Sequence, residues 1–166
     1  HTHIIEQVSD NGEKISSTRI CELIEKGNME EAQRLLGRPY TMKGIVVHGQ
    51  KKGRKIGFPT SNLDGNETYV LPAKGVYYAI ALINDVSYPC MVNFGMNPTF
   101  NLQDHISMEA HIIGYNGNLY ERSLTVKLYR KLRDEKKFRS VEELVTQLQK
   151  DRDCVSAWFD EYTEKN

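Results

Sequence analysis

Short strand-like segments separated by turn signals fill residues 40–132, and they constrain the fold more than any other feature of the sequence. Residues 75–83, GVYYAIALI, are apolar on both faces, which is typical of a strand covered on both sides. Asn84 and Asp85 then predict a tight turn, after which residues 86–94 return antiparallel. Further strands are predicted at 43–48, 107–113 and 123–132. Because no helical pattern interrupts them, these segments predict an antiparallel barrel or sandwich.

A helical hairpin is predicted before the strands, over residues 17–36. Serines precede its first helix as caps, and Gly27 and Gly37 can each end a helix in the left-handed conformation. Asn28 and Glu31 have the spacing of a capping box at the start of the second helix. Since the hairpin is too small to enclose a core alone, we expect it to dock on the rest of the chain.

One long helix is predicted after the strands, with Ser140 and Glu143 as its capping box. Apolar residues recur in it at helical spacing and form a stripe that we expect to cover part of the barrel. The stripe consists of Val141, Leu144, Val145, Leu148, Val155, Trp158, Phe159 and Tyr162.

The charge balance makes the chain a poor candidate for wrapping nucleic acid or coating a membrane. The 166 residues include 22 Lys and Arg and 22 Asp and Glu, so the formal net charge is zero. Proteins that wrap nucleic acid or coat a membrane need a net basic charge. In addition, no apolar run approaches the ~20 residues of a membrane span. The cysteines, Cys21, Cys90 and Cys154, are too widely spaced for a disulfide framework or a zinc site. This pattern favours a reducing, cytoplasmic compartment.

The densest local cluster is residues 49–57, with three glycines and four cations. Glycines let backbone amides approach an anion, and the cations neutralise it, so this loop is a candidate phosphate site. Its spacing is not that of a Walker A loop, and it opens no obvious helix. A solvated hairpin loop is the alternative.

Thr60 and Asn62 follow this loop, directly after Pro59. On an extended segment, an i, i+2 pair points both side chains the same way. Two neutral oxygens could hold Mg²⁺ if phosphate oxygens and water completed its shell. A turn stabilised by the Thr or Asn side chain is the alternative.

Glu109 and His111 share one face of the strand predicted at 107–113, opposite the face of Met108 and Ala110. A carboxylate beside an imidazole is a reasonable arrangement for a general base. An exposed face that carries a surface Glu and His is the alternative. The charged link at 132–139 is likewise open to two interpretations, a mobile flap carrying Arg133 and Phe138 to a ligand or a solvated connector.

Taken in order, these motifs resemble those of riboflavin kinases over residues 38–160. The matching series is Gly44-x-Val46-Val47-His48-Gly49, Gly53-Arg54-x-x-Gly57-Phe58-Pro59-Thr60-x-Asn62, Leu71-Pro72-x-x-Gly75-Val76-Tyr77, Asn93-Phe94-Gly95-x-Asn97-Pro98-Thr99-Phe100, Glu109-x-His111, Leu119-Tyr120 and Leu132-Arg133-x-Glu135-x-x-Phe138-x-Ser140. The resemblance implies a mainly β fold, a small antiparallel Greek-key barrel with a C-terminal helix. It also implies an enzyme that transfers the γ-phosphoryl group of ATP to riboflavin, giving FMN.

The same resemblance implies roles for individual residues. Thr60 and Asn62 would coordinate Mg²⁺, Glu109 would accept the hydroxyl proton, and His111 would lie beside it. The flavin would contact Arg133, Glu135 and Phe138 in the flap. The residues implied to bind ATP are Gly49, Lys51, Gly53, Arg54, Gly57, Pro59, Thr60, Asn62, Asn97 and Tyr120. Asn97 stands where many relatives carry Arg.

The N-terminal segment resembles part of a second domain. Residues 15–20, ISSTRI, are similar to the closing motif of the FMN adenylyltransferase domain in bacterial bifunctional FAD synthetases. We therefore expect residues 1–37 to be a remnant of that domain with a helical linker, and residues 38–166 to be the kinase domain. This interpretation makes the chain a C-terminal fragment that phosphorylates riboflavin but does not adenylylate FMN.

A barrel that binds RNA or a flavin without catalysis is the alternative function. Oligonucleotide-binding barrels place aromatic side chains along a basic groove. Tyr77, Tyr78 and Tyr88 lie on predicted strands, but the basic residues are concentrated in one loop. The joint presence of Thr60, Asn62 and Glu109 favours the kinase.

Overall fold

The computed structural model describes residues 9–65, 68–96 and 106–165. Six strands form a barrel: β3 (Tyr40–Val47), β4 (Ser61–Asp64), β5 (Gly75–Ile83), β6 (Val86–Met96), β7 (Ile106–Ile112) and β8 (Ser123–Arg133). A small hairpin precedes it, formed by β1 (Ser9–Asp10) and β2 (Glu13–Lys14). The helices are α1 (Ser17–Glu25), α2 (Met29–Leu36), α3 (Lys52–Lys55) and α4 (Val141–Lys165).

The barrel closes in the strand order β3-β4-β7-β6-β5-β8, and all of its strand pairs are antiparallel. β5, β6 and β7 are consecutive neighbours, and β8 returns to lie beside β5, which is a Greek key. Asn84 and Asp85 have φ values of 49° and 63°, and two positive values are what a type I′ hairpin turn requires. The predicted Greek-key barrel is confirmed.

Two buried clusters occupy the inner and outer faces of the barrel. Leu124, Val126 and Leu128 alternate along β8, are at most 1% exposed, and belong to the inner cluster. On β5, Tyr77 joins that cluster, whereas Tyr78 belongs to an outer cluster against which α4 packs. The prediction of a strand covered on both faces is therefore confirmed.

The N-terminal helical hairpin is part of the inner cluster. Ile24 of α1 and Met29 and Ala32 of α2 are at most 2% exposed and pack with the barrel residues. Ser16 caps α1 by accepting a hydrogen bond from the Arg19 backbone N–H at 3.2 Å. The predicted docking of the hairpin on the rest of the chain is thus confirmed.

Three details of the elements differ from prediction. β3 begins at Tyr40 rather than at residue 43, because the earlier residues extend its ladder with β8. Asn28 makes no side-chain capping hydrogen bond, and no capping box forms, because its backbone N–H donates to the Leu23 carbonyl at 2.8 Å and the Glu31 carboxylate pairs with Arg34. Val141 is 57% exposed because it lies at the first turn of α4, away from the packed part of the stripe.

In the described ranges, no helix is long and apolar enough to cross a membrane.

Candidate functional site

The glycine-rich loop after β3 contains α3, a one-turn helix that the sequence did not predict. The Phe58 backbone N–H donates to the Gly53 carbonyl at 2.9 Å and closes the loop. A Cβ atom at residue 53 would overlap the Phe58 carbonyl oxygen, so only glycine permits this closure. Gly57 ends α3 with a φ of 83°. The cations of the loop are exposed to solvent: Lys51, Lys52, Arg54 and Lys55.

Three side chains with oxygen donors meet on β4 and β7. Asn62 is the register partner of Glu109, and Thr60 lies one residue before β4. Thr60 Oγ1 donates to Glu109 Oε2 at 3.3 Å. A Cβ atom at Gly49 would overlap the Asn62 amide, so the glycine leaves room for that side chain. The pairing of two strands thus assembles a compact set of hydroxyl, amide and carboxylate groups.

His111 is buried beside this set, with 9% of its surface exposed. Its Nδ1 lies 2.8 Å from the Pro59 carbonyl oxygen, and its ring packs 5.3 Å from that of Phe58. Burial lowers the pKa of His111, the Pro59 hydrogen bond opposes this, and the charge of Arg152 lowers it further. The neutral ring therefore donates from Nδ1 and anchors the segment that carries Thr60. The alternative of an exposed His is wrong.

The first of two cavities has a volume of about 570 Å³ and lies between β4 and the loop after β7. Tyr120 lines it, with its ring centroid 3.9 Å from that of His48 and 5.8 Å from the Lys51 ammonium. The rest of the lining is mixed. Its polar residues are Arg54, Thr60, Ser61, Tyr115, Asn116 and Asn118, and its apolar residues are Val46, Pro59, Ala110, Ile112 and Leu119. An aromatic surface beside cations suits a ligand with both a planar ring and negative charge.

The second cavity has a volume of about 280 Å³ and lies under the link between β8 and α4. Its walls are largely apolar: Ile56, Phe58, Val76, Met91, Phe138, Leu144 and Leu148. Polar groups converge in it as well: Thr60, Asn93, Glu109, His111, Arg133, Glu135 and Lys136. An apolar slot with a few polar groups is the usual form of a site for a planar organic ligand.

Arg133, at the start of the link, contacts both Asp151 of α4 and the Phe138 ring. Its Nε and Nη2 atoms lie 2.8 and 2.7 Å from Oδ2 of Asp151, and its Cζ lies 5.9 Å from the Phe138 ring centroid. Glu135 lies against Gly95, where even a Cβ atom would overlap its carboxylate. The segment therefore lines the second cavity through Arg133, Glu135, Lys136 and Phe138, while residues 134–137 are exposed, so the choice between a mobile flap and a solvated connector stays a prediction.

Among the predicted residues, Arg54, Pro59 and Tyr120 line the first cavity, Gly53, Glu109, His111, Arg133, Glu135 and Phe138 line the second, and Thr60 lines both. Gly49, Lys51, Gly57 and Asn62 line neither, although Lys51 lies near Tyr120 and Asn62 is in register with Glu109. Asn97 lies outside the described residues, so its role stays a prediction. Two residues near the second cavity were not predicted as functional from the sequence motifs. Asn93 is the β6 partner of Glu109 and a polar residue in a buried strand. Asp151 is an acidic residue at an apolar-stripe position between Leu148 and Val155, and that mismatch was the available signal.

The family model and the curated relatives agree on one family. The flavokinase family model, described as riboflavin kinase, matches residues 36–159. The bifunctional riboflavin kinase/FMN adenylyltransferase of Listeria monocytogenes is 41% identical over 156 residues, 94% of this chain and 50% of that protein. Its Bacillus subtilis counterpart is 37% identical over 158 residues, with the same coverage. The chain therefore spans about half the length of the curated relatives it matches.

Two solved structures resemble the fold. A Streptococcus pneumoniae chain described as a macrolide-efflux protein matches with a TM-score of 0.85 and 40% identity, over 93% of this chain and 50% of that one. Riboflavin kinase from Trypanosoma brucei matches with a TM-score of 0.51 and 19% identity, over 74% of this chain and 80% of that one. The second match is a likeness of fold alone.

Proposed function

The chain belongs to the riboflavin kinase family, and on that premise we propose that it transfers the γ-phosphoryl group of ATP to the ribityl 5′-hydroxyl of riboflavin, giving FMN and ADP. One observation carries this proposal. Thr60 lines both cavities and is hydrogen-bonded to Glu109, so two substrates held in the two cavities would meet at that carboxylate. Phosphoryl transfer depends mainly on such positioning and on charge neutralisation.

ATP is assigned to the first cavity. The Tyr120 ring and Lys51 offer a stacking surface and a cation for the nucleotide, and Arg54 lines the same space. The glycine-rich loop would supply backbone N–H groups and the remaining cations to the phosphates. Of the residues that the family resemblance assigns to ATP, Arg54, Pro59, Thr60 and Tyr120 line this cavity. For Gly49, Lys51, Gly53, Gly57, Asn62 and Asn97, the role in ATP binding rests on the resemblance.

Riboflavin is assigned to the second cavity. Its apolar walls suit a flat tricyclic ring, and Arg133, Glu135 and Phe138 fold over it from the link. The assignment leaves the ribityl chain to extend toward Glu109 and Thr60, which line the same cavity. Asn93, in register with Glu109, becomes an additional hydrogen-bonding group for this substrate.

Mg²⁺ is assigned to Thr60 and Asn62. Their neutral oxygens are hard donors of the kind that Mg²⁺ accepts, and the space left by Gly49 accommodates the Asn62 amide. When bound with ATP, Mg²⁺ would neutralise charge on the phosphate oxygens. Because the protein donors are uncharged, the phosphates would have to supply most of the negative charge in its shell.

The reaction then assigns one task to Glu109. The riboflavin 5′-oxygen forms a bond to the γ-phosphorus as the bond from that phosphorus to the β–γ bridging oxygen breaks. The hydroxyl proton passes to the Glu109 carboxylate, and ADP leaves with the bridging oxygen. The Thr60 hydroxyl, which donates to Oε2, orients the carboxylate for this transfer.

The test is incubation of the chain with riboflavin, ATP labelled in the γ-phosphate, and Mg²⁺, followed by chromatography. We expect label in FMN, in equal amounts with ADP, and none when Mg²⁺ is chelated. Riboflavin binding without FMN would overturn the proposal in favour of a flavin-binding module. RNA binding at physiological salt, without FMN formation, would favour the nucleic-acid alternative.

We also propose that these 166 residues carry the kinase reaction without the adenylyltransferase reaction named for the relatives. The residues described before the family match form only a short β-hairpin and two short helices, and the helices pack on the barrel. Incubation with FMN and ATP is expected to give no FAD. FAD formation in that assay would refute this part and leave the kinase proposal standing.

A further inference from the structure

The buried carboxylate of Asp151, on α4, contacts Arg133, and Arg133 lines the second cavity, to which riboflavin is assigned. We propose that Asp151 is a positioning residue for riboflavin, because it fixes the Arg133 guanidinium in the orientation that binds the flavin. The inference rests on the proposed function and adds a residue from the C-terminal helix to that site. Asp151 does not line the cavity itself, so it acts only through Arg133.

Both carboxylate oxygens of Asp151 accept hydrogen bonds. Oδ2 of Asp151 accepts a hydrogen bond from Nε of Arg133 at 2.8 Å and lies 2.7 Å from Nη2 in an ion pair. Its other oxygen, Oδ1, accepts from Nε2 of Gln147 at 2.9 Å. The Asp151 side chain is 3% exposed and that of Arg133 is 20% exposed, so the pair is shielded from water. Charge-assisted hydrogen bonds in such surroundings are strong and directional.

Counting donors shows what remains for a ligand. A guanidinium has five N–H groups in one plane. In Arg133, Asp151 accepts the N–H on Nε, and the Asp134 carbonyl accepts one from Nη1 at 3.0 Å. Nη2 is held by its ion pair with Oδ2 of Asp151. The residue lines the cavity, so the remaining N–H groups of Nη1 and Nη2 are the ones left for a ligand. Since all three nitrogens are held, the directions of those N–H groups are set before the flavin arrives, which reduces the entropy lost on binding.

Helix packing alone does not account for an acidic residue at position 151. The position continues the stripe of Leu148 and Val155, where an apolar side chain would pack without the cost of burying a charge. A well-packed apolar residue there would fasten α4 at least as well, but it would leave the Arg133 guanidinium unpaired. The carboxylate is thus better suited to orienting Arg133 than to holding the helix.

Asp151→Asn is the direct test, because it keeps the shape of the side chain and removes its charge. We expect the KM for riboflavin, and its Kd from quenching of flavin fluorescence, to rise about tenfold, while the KM for ATP changes less than twofold. Val155→Ala is the matched control, since it removes buried contacts from the same helix without touching Arg133. That variant should lower the melting temperature and leave the KM for riboflavin unchanged.

A double-variant cycle separates positioning from a structural role. In an Arg133→Ala background, Asp151→Asn should cause no further rise in the KM for riboflavin. If the effects of the two substitutions simply multiply, or if Asp151→Asn changes the KM no more than Val155→Ala does, the inference is wrong. Should Asp151→Asn fail to fold, Gln147→Leu carries the test, with a smaller rise expected and no rise overturning the inference. An unaltered chain that makes no FMN would instead refute the proposed function.

Discussion

The Oγ1 atom of Thr60 lies 3.3 Å from Oε2 of Glu109, although 49 residues separate the two in the sequence. The pairing of β4 with β7 brings them together, and the same pairing sets Asn62 opposite Glu109. The barrel therefore keeps Glu109 and Asn62 on adjacent strands, where backbone hydrogen bonds fix their relative positions, and Thr60 lies one residue before β4. Sites on strands are held more rigidly than sites on loops, which suits a reaction that depends on alignment.

Glu109→Gln removes the proposed base and keeps the side chain nearly unchanged in size. We expect kcat to fall at least about 100-fold, as is usual when a general base is lost, while the Kd for riboflavin stays within about threefold. Single-turnover FMN formation and flavin fluorescence measure the two quantities. Glu161→Gln, an exposed change on α4, serves as the control and should retain full activity. Normal turnover by the Glu109 variant would show that the base is assigned wrongly.

Gly49→Ala places a methyl group where the Asn62 amide lies. The amide must then move, so we expect the Mg²⁺ concentration for half-maximal activity to rise about tenfold, with the KM for riboflavin unchanged. Titration of Mg²⁺ at saturating ATP measures this. Asn62→Ala should have a similar effect, and the double variant should be no worse than Asn62→Ala alone, because both changes act on one ligand. Fully additive effects would contradict the proposed link between the two residues.

Much of the fold could be predicted from the sequence, because its signals are local. Alternation along residues 123–132, the turn at Asn84 and Asp85, and the apolar run over residues 75–83 each reflect the period or backbone preference of one element. The helix α3 was missed because a single turn with two glycines nearby has no periodicity to detect. The capping box at Asn28 and Glu31 failed for another reason, since the Asn28 backbone N–H and the Glu31 carboxylate both have other partners, Leu23 and Arg34.

The candidate site was predicted less completely, because its geometry depends on contacts between distant segments. Motif order and resemblance supplied Thr60, Asn62 and Glu109, but only the strand register shows that they adjoin. Burial of His111 by Phe58 and the Pro59 carbonyl likewise needs two segments to meet. Asp151 acts across 18 residues of chain on Arg133, and no local pattern encodes that pairing.

His111 should make stability depend on pH in the mildly acid range. Burial lowers its pKa in the folded chain, although the Pro59 hydrogen bond opposes this and Arg152 reinforces it. The unfolded chain, with a His pKa of about 6.5, therefore binds the proton more readily. Its contribution to stability is thus intact above about pH 6.5 and is lost progressively as the pH falls toward the folded-state pKa.

His111→Asn tests this dependence, because the Asn amide can still donate to Pro59 but does not titrate. We expect the fall in melting temperature between pH 7.5 and pH 5, roughly the span over which a histidine titrates, to be shallower in the variant than in the unaltered chain. Replacement of the exposed His48 by Asn is the control and should keep the original slope. Equal slopes for His111→Asn and the unaltered chain would show that carboxylates alone set the acid limit.

The N-terminal helical hairpin, formed by α1 and α2, and the barrel should unfold together. Ile24 is 2% exposed and shares one buried cluster with Met29, Ala32 and barrel residues such as Leu128, so the two parts have a common core. We expect Ile24→Ala to lower the free energy of unfolding by about 3 kcal/mol and to shift a single transition, seen alike by far-UV circular dichroism and by Trp158 fluorescence. Ile45→Ala, on an exposed side chain of β3, is the control and should cost little. If Ile24→Ala instead produced an early loss of helix, with the Trp158 transition unmoved, the hairpin would be a separately folding appendage and residues 38–166 would hold the barrel by themselves.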